Sequence, residues 1–185
     1  MSDDLSKQPN SYISIGGIYF WTATINNWHK LLQENVVKQI IIDSLTYLTA
    51  KKKITVYGFV IMPNHIHLIW QIHEMNGKET PQASLLKFTA HAFKKHLQTN
   101  NADYLKLFKV DASNKEYEFW QRDPLAFELT QRATAIQKLE YIHNNPVAKG
   151  WQLAADREQY HFSSAIYYLK GVDRFGFIQH IMTVF

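Results

Sequence analysis

The stretch Gly58-Phe-Val-Ile-Met-Pro-Asn-His-Ile-His-Leu-Ile69 decides how the centre of this chain folds. Two runs of β-branched and apolar residues are separated by Pro63-Asn64, a pair that ends strands and favours turns. We therefore predict strands over residues 54–62 and 65–72, joined as an antiparallel hairpin. Because side chains alternate along a strand, His65 and His67 project from one face while Ile66 points into the core.

The residues on either side of this hairpin predict an α+β fold with a mostly antiparallel sheet. Residues 18–25 are β-branched and aromatic, which indicates a strand. Apolar residues at helical spacing predict helices over about 28–48, 84–98 and 130–144, the second capped by Ser84. A short strand over 116–122, a loop or short helix over 99–115 and a short segment over 165–169 complete the pattern. The residues expected to face inward on the last two helices are Leu85, Phe88, Ala92, Phe93, Ile136, Leu139 and Ile142.

Composition narrows the class of protein. The 185 residues are 46% hydrophobic and 19% charged, which predicts one globular domain over 15–185 after a disordered polar tail, residues 1–14. The absence of cysteine excludes disulfides and thiolate metal sites. No apolar run is long enough for a membrane span and the N-terminus is not a signal peptide, so we expect a cytoplasmic protein. The net charge of +4 suits a nucleic-acid partner without requiring one.

The two histidines of the hairpin are candidate metal ligands. Neutral imidazoles side by side on a rigid strand are the beginning of a metal site. The alternative is that they are ordinary histidines on the polar face of an amphipathic strand. However, residues 58–69 are otherwise apolar on both faces, and polar side chains buried in a sheet need partners.

A second pair, Tyr141 and Asn145, lies four residues apart on the third predicted helix. That spacing puts a phenol and an amide on one helical face, with Cβ atoms roughly 5–6 Å apart. Pro146 biases Asn145 away from helical geometry, so we expect it on the last turn. His143 lies on a different face and is expected to meet solvent or to support the metal ligands. Taken alone, a half-buried tyrosine and a helix-terminal asparagine explain this pair equally well.

Taken together, the motifs resemble those of the HUH (His-hydrophobic-His) superfamily of transposases and endonucleases. Residues 58–69 resemble the single-tyrosine branch. Tyr141-Ile-His-Asn-Asn-Pro-Val-Ala-Lys-Gly150 and Tyr160-His-Phe-Ser-Ser164 resemble the REP-associated tyrosine transposases within it. The resemblance runs from about residue 18 to 169. Where the family often has Arg-Ala-Gly after Asn-Pro-Val, this chain has Ala148-Lys-Gly150, a departure that bears on DNA sequence preference more than on chemistry.

The resemblance implies a role for each matching residue. His65 and His67 match the metal-binding pair, Asn145 matches a third metal ligand, and Tyr141 matches the nucleophile. The family fold is an RRM-like (ferredoxin-like) antiparallel sheet flanked by helices. The implied activity is cleavage and rejoining of single-stranded or hairpin DNA through a 5′-phosphotyrosine intermediate, with Mg²⁺ or Mn²⁺ as cofactor. Both monomers and homodimers occur among relatives.

Residues that hold DNA are harder to identify from sequence. Basic side chains are candidates for phosphate contacts and aromatic rings for stacking on bases. Each is equally well explained as surface charge or core packing. The candidates are Lys87, Lys94, Lys95, Arg122 and Lys149 for phosphates, and Trp120 and Phe162 for stacking.

Two other functions compete with this interpretation. A non-catalytic RRM-like module would bind hairpin or single-stranded nucleic acid by stacking, and would not need the hydroxyl of Tyr141. A metal-dependent hydrolase would activate water on the two histidines and would need a general base. The carboxylates available for that role are Glu74, expected at the far end of its strand, and Glu140, which points away from Tyr141 on the helix.

Overall fold

The computed structural model of the protein describes residues 13–113 and 115–185. The predicted N-terminal tail, residues 1–14, therefore falls almost entirely outside the described residues. Within them, no helix is long and apolar enough to cross a membrane. The strands and helices are β1 (Ile18–Thr24), α1 (Asn35–Ala50), β2 (Ile54–Ile61), β3 (His65–Ile72), α2 (Pro81–Asn100), α3 (Ala102–Lys106), β4 (Lys109–Ala112), β5 (Lys115–Tyr117), β6 (Leu125–Glu128), α4 (Arg132–Asn144) and α5 (Ala165–Lys170).

The main sheet has four antiparallel strands in the order β2-β3-β1-β6. Along the chain, α1 connects β1 to β2, and α2 lies between β3 and β6. The connectivity is therefore the β-α-β-β-α-β of ferredoxin-like folds. Strands β4 and β5 form a separate small hairpin. The predicted α+β class and the hairpin of β2 and β3 are both confirmed.

The two faces of the sheet are used differently. One face carries Trp21, Leu68 and Trp70, all fully buried, and is covered by α1 and α2. The other face carries both histidines. Thr22 follows Trp21 in β1 and so projects to the opposite face, where it pairs with His67. Helix α4 crosses this second face, which we call the α4 face.

Helix α4 lies very close to strand β2. A Cβ atom placed on Gly58 would be 2.6 Å from Cδ1 of Leu139 and 3.2 Å from Cδ1 of Ile142. A side chain at position 58 would therefore force the ends of these two apolar side chains to shift. Glycine therefore has a packing role here, and it brings α4 against the sheet.

The segment 160–164 fastens the free edge of β2. The backbone N–H of Ile61 donates to the carbonyl of Phe162 at 2.9 Å, and that of Ser164 to the carbonyl of Phe59 at 3.0 Å. The hydroxyl of Tyr160 also donates to the carbonyl of Ile61 at 2.8 Å. Residues 160–164, one of the motifs that carry the family resemblance, thus cover an edge of the sheet.

The predicted helix boundaries needed two corrections. The first helix begins at Asn35 rather than near residue 28, because Asn27 and Trp28 have positive φ angles of 53° and 57° that no helix continues through. The second begins at Pro81. The Oγ1 of Thr80 caps it by accepting from the N–H of Ala83, so Ser84 is not the cap.

Three side-chain or strand predictions were also wrong. Phe88 and Ile136 are exposed, since Thr89 and Ala135 occupy the inward positions on their helices. The strand predicted over 116–122 ends at Tyr117 and lies outside the main sheet. The fourth strand of that sheet is β6, which pairs with β1 and was not predicted.

We expect Gly58→Ala to lower the free energy of unfolding by about 1–3 kcal/mol, because the new methyl group overpacks the contact with Leu139. Urea unfolding measures this. Gly150→Ala is the matched control, since a Cβ there meets nothing within 4 Å and should change stability by no more than about 0.5 kcal/mol. Equal stability of the two variants would contradict the packing role of Gly58.

Candidate metal and nucleophile site

The two histidines lie together at the start of β3, with ring centroids 4.7 Å apart. Nδ1 of His65 donates to Oδ1 of Asn64 at 2.7 Å, since an amide oxygen can only accept. Nδ1 of His67 lies 2.7 Å from Oγ1 of Thr22 on the neighbouring strand, and a hydroxyl can accept this proton too. This arrangement leaves each Nε2 with a free lone pair, as metal-binding histidines require.

Burial keeps both rings neutral. It lowers the pKa of His65 to about 4. Burial, and then the nearby charges of His65 and Lys138, lower the pKa of His67 to about 3. Nε2 of His67 is shielded from solvent and has no hydrogen-bond partner among the described residues. An unpaired buried nitrogen costs free energy, and a metal ion would satisfy it.

Tyr141 lies beside this pair. Its ring centroid is 5.4 Å from that of His67 and 6.1 Å from that of Phe20. The side chain remains 52% exposed, so a large substrate can approach the phenol. The fold therefore brings together two motifs that are more than 70 residues apart in sequence.

Asn145 lines a cleft next to the histidines. The cleft, of about 550 Å³, is lined by Tyr141, Asn144, Asn145, Ala148, Gly150 and Trp151. The ring of Trp151 is 5.9 Å from that of His65, so the cleft opens beside the two histidines. Asn145 is helical (φ −55°, ψ −46°), contrary to the bias expected from Pro146, because the chain continues directly into a 3₁₀ turn, Asn145–Val147.

The donor set fits an ion bound by nitrogen and oxygen together. Among the described residues, no group of three or more His, Cys, Asp or Glu side chains is placed to hold a metal. The amide oxygen of Asn145, in the adjoining cleft, is the candidate for a third protein ligand.

His143 does not face this site, contrary to expectation. It is buried, and its Nε2 lies 2.8 Å from Oγ of Ser164, which also accepts from the backbone N–H of Phe59 at 2.9 Å. Burial, with a smaller effect from Arg157, lowers its pKa to about 3. His143 thus fastens α4 to segment 160–164 and to β2, and so fixes the position of Tyr141.

Most of the predicted DNA contacts lie away from the site. Lys87, Lys94 and Arg122 are each paired with a glutamate, and both lysines, like the exposed Lys95, belong to α2 on the far face of the sheet. Lys149 lies between two residues that line the cleft.

The two candidate stacking residues lie in the core. Trp120 and Phe162 are only 7% and 4% exposed. The indole N–H of Trp120 donates to Oγ1 of Thr89 at 2.9 Å. Neither ring has a face open to a base, so their predicted stacking role does not fit the structure.

Four residues near the site were missed. Thr22, Asn64, Lys138 and Trp151 each contact or adjoin the histidines or Tyr141. Asn64 directly precedes the histidine motif, and Lys138 is one helical turn from Tyr141, so both had a local signal. The position of Thr22 depends on strand register, and that of Trp151 on the path of the chain after α4. Neither position has a local signal in the sequence.

Comparison with known proteins gives a fold relationship. No protein-family model matches this chain, and no curated protein matches it. A solved structure of a REP-associated tyrosine transposase bound to a REP hairpin has a TM-score of 0.59 at 18% identity, covering 92% of this chain and 90% of that chain. A provisionally named transposase from Deinococcus radiodurans R1 has a TM-score of 0.42 at 16% identity, covering 75% of this chain and 96% of that chain.

The fold is therefore an antiparallel sheet flanked by helices, with α4, which carries Tyr141, across the face that carries the histidines. The REP-associated tyrosine transposase shares it over nearly the whole chain. At the level of the fold, the resemblance indicated by the motifs is confirmed.

We expect stability to fall in acid because His65, His67 and His143 stay neutral when folded. Their unfolded pKa is near 6.5, so below that pH the unfolded state binds more protons. Stability is then lost as the pH falls from 6.5 towards 4. Each of these histidines should lower the free energy of unfolding by about 2 kcal/mol at pH 5. Urea unfolding at pH 7.5 and 5 in chelator measures this. His143→Gln should reduce the dependence and the exposed His73→Ala should not; a flat profile would contradict the assignment.

Proposed function

We propose that this protein is a metal-dependent endonuclease and strand transferase of the REP-associated tyrosine transposase family, acting on single-stranded or hairpin DNA. The observation that carries the proposal is the phenol of Tyr141 beside buried, neutral His67, whose Nε2 has no hydrogen-bond partner in the part of the chain that the structure describes. The structural relative with a bound REP hairpin supports hairpin DNA as the ligand class.

The residues that would hold the ion are His65, His67 and Asn145. Two imidazoles and an amide oxygen, completed by water and phosphate oxygens, suit Mn²⁺, while Mg²⁺ favours a larger share of oxygen ligands. A divalent ion bound there would polarise the scissile phosphate and neutralise charge on its oxygens. The hydrogen bonds that the Nδ1 atoms donate to Asn64 and Thr22 would fix the orientation of the imidazoles in advance.

In the proposed reaction, Oη of Tyr141 attacks the phosphorus atom and the bond from phosphorus to the 3′ oxygen breaks. The phenol loses its proton and the departing 3′ oxygen gains one, which leaves a 5′-phosphotyrosine and a free 3′-OH. Attack by the 3′-OH of another strand reverses the step and restores the phenol. One phosphodiester bond replaces another, so nucleotide hydrolysis is not required.

The structure weakens the case for a metal-activated hydrolase. Glu74 pairs with Lys53 at 2.8 Å beyond the end of β3, and Glu140 pairs with Arg157. Neither carboxylate considered as a general base is therefore directed at the histidines. The non-catalytic module differs from the proposal in one respect that can be measured, which is whether the hydroxyl of Tyr141 is needed.

We expect a covalent protein–DNA adduct that survives denaturant when the protein is incubated with labelled single-stranded hairpin oligonucleotides and Mn²⁺ or Mg²⁺. Tyr141→Phe should abolish it because the attacking oxygen is gone. Tyr47→Phe is the matched control, since Tyr47 is also 52% exposed but lies on α1. Binding without an adduct across a broad panel would favour the non-catalytic module. Cleavage that survives Tyr141→Phe would favour activated water.

We expect His65→Ala, His67→Ala and Asn145→Ala to weaken Mn²⁺ binding, measured by calorimetry, and to abolish the adduct. His73→Ala and Asn100→Ala, both at exposed positions away from the cleft, serve as controls. Thr22→Val keeps the shape but removes the oxygen next to Nδ1 of His67, and should weaken Mn²⁺ binding roughly 10–100-fold. Unchanged Mn²⁺ affinity in the histidine variants would refute the metal site.

A further inference from the structure

Lys138 lies one turn before Tyr141 on α4, and its ammonium group rests over aromatic rings. Nζ is 4.8 Å from the ring centroid of Phe20, 5.6 Å from that of Phe127 and 5.9 Å from that of Tyr141. Residues three apart share a helical face, so the charge and the phenol point to the same side. Cation–π attraction holds the flexible lysine in this position.

The charge of Lys138 is available to a ligand. Within residues 13–113 and 115–185 it forms no ion pair, whereas Lys87, Lys94 and Arg122 are each neutralised by a glutamate. Lys138 also lies over the Tyr141 ring. An uncompensated ammonium beside a nucleophile that attacks phosphate is suited to contact a phosphate oxygen.

An open apolar strip lies next to this charge. In the sheet Thr22 pairs with both His67 and Leu125, and Phe20 pairs with Phe127, so all of these residues share the α4 face. Helix α4 packs over β2 through Leu139 and Ile142, and it reaches β6 with the Lys138 side chain while Leu125 stays 52% exposed. Phe127 is 48% exposed there. An exposed ring beside a free ammonium matches one nucleotide, with the base on the ring and the phosphate on the charge.

We propose that Phe127 and Lys138 form a subsite for one nucleotide of the single strand next to the scissile bond. The subsite rests on the proposed function, because Tyr141 defines where that bond lies. The base stacks on the exposed face of Phe127 while the ammonium of Lys138 contacts the adjoining phosphate. The strand then crosses β1 and β6 and delivers its scissile phosphate to Tyr141.

Binding measured in a Tyr141→Phe background tests this without covalent trapping. The probe is a fluorescein-labelled DNA hairpin with a single-stranded tail of about ten nucleotides. Single abasic sites and single methylphosphonates are placed in turn along the tail. One abasic position should weaken binding about tenfold, and this penalty should vanish in Phe127→Ala. One methylphosphonate should weaken binding in the parent and not in Lys138→Met. In Lys138→Met, the slope of the logarithm of the binding constant against the logarithm of salt concentration should fall in magnitude by about one. Lys138→Arg should behave as the parent.

The controls separate the subsite from general effects. Phe88→Ala removes an aromatic ring that is 52% exposed on α2, and Lys95→Met removes an exposed lysine there. Both should bind as the parent does, and thermal melts should show that all variants fold. Abasic and methylphosphonate penalties that persist unchanged in Phe127→Ala and Lys138→Met would overturn the subsite. The predicted pattern in a chain whose wild type forms no adduct would keep the subsite and reject the tyrosine chemistry.

Discussion

The close approach of α4 to strand β2 at Gly58 is the contact on which the site depends. A side chain there would overlap Leu139, and any retreat of the helix would carry Tyr141 away from His67. Ser164 reinforces the same contact, since its hydroxyl accepts from the backbone of Phe59 and meets His143 on α4. Tyr141 is thus positioned by apolar packing and by a buried hydrogen-bond network.

The histidine pair shows how a sheet can hold two imidazoles in the orientation that the proposed metal site needs, without carboxylates beside them. Asn64 and Thr22 occupy the Nδ1 positions with side-chain oxygens, and the surrounding rings of Phe20, Tyr141 and Trp151 restrict water. Burial makes the charged imidazole unfavourable, so both rings are kept in the form that binds metal. The same burial leaves a nitrogen of His67 unpaired, which is a cost that a fold optimised for stability alone would avoid.

The local sequence pattern was sufficient to predict some elements of this structure and not others. Strand β3 matches its predicted bounds, since β-branched residues and a Pro-Asn break give a strong signal. The start of α1 could not be placed, because the apolar spacing already begins at Leu31, although Leu31–Gln33 forms a separate 3₁₀ turn and Glu34 is extended. Strand β6 is short, at a sheet edge and exposed, so it lacks an alternating burial pattern. The roles of His65, His67, Tyr141 and Asn145 came from family resemblance. Thr22 and the burial of Trp120 depend on contacts between distant segments, which a single sequence does not reveal.

The fastening of α4 to its own sheet also bears on the molecularity of the reaction. His65, His67, Tyr141, Asn145 and Lys138 all belong to one chain, and the helix that carries the phenol docks on the strand beside the one that carries the imidazoles. A single copy therefore contains all the groups that the proposed reaction requires for one scission. Cleavage arising there would be first order in protein once DNA is bound, and any second copy would serve to bring two DNA ends together rather than to complete the chemistry.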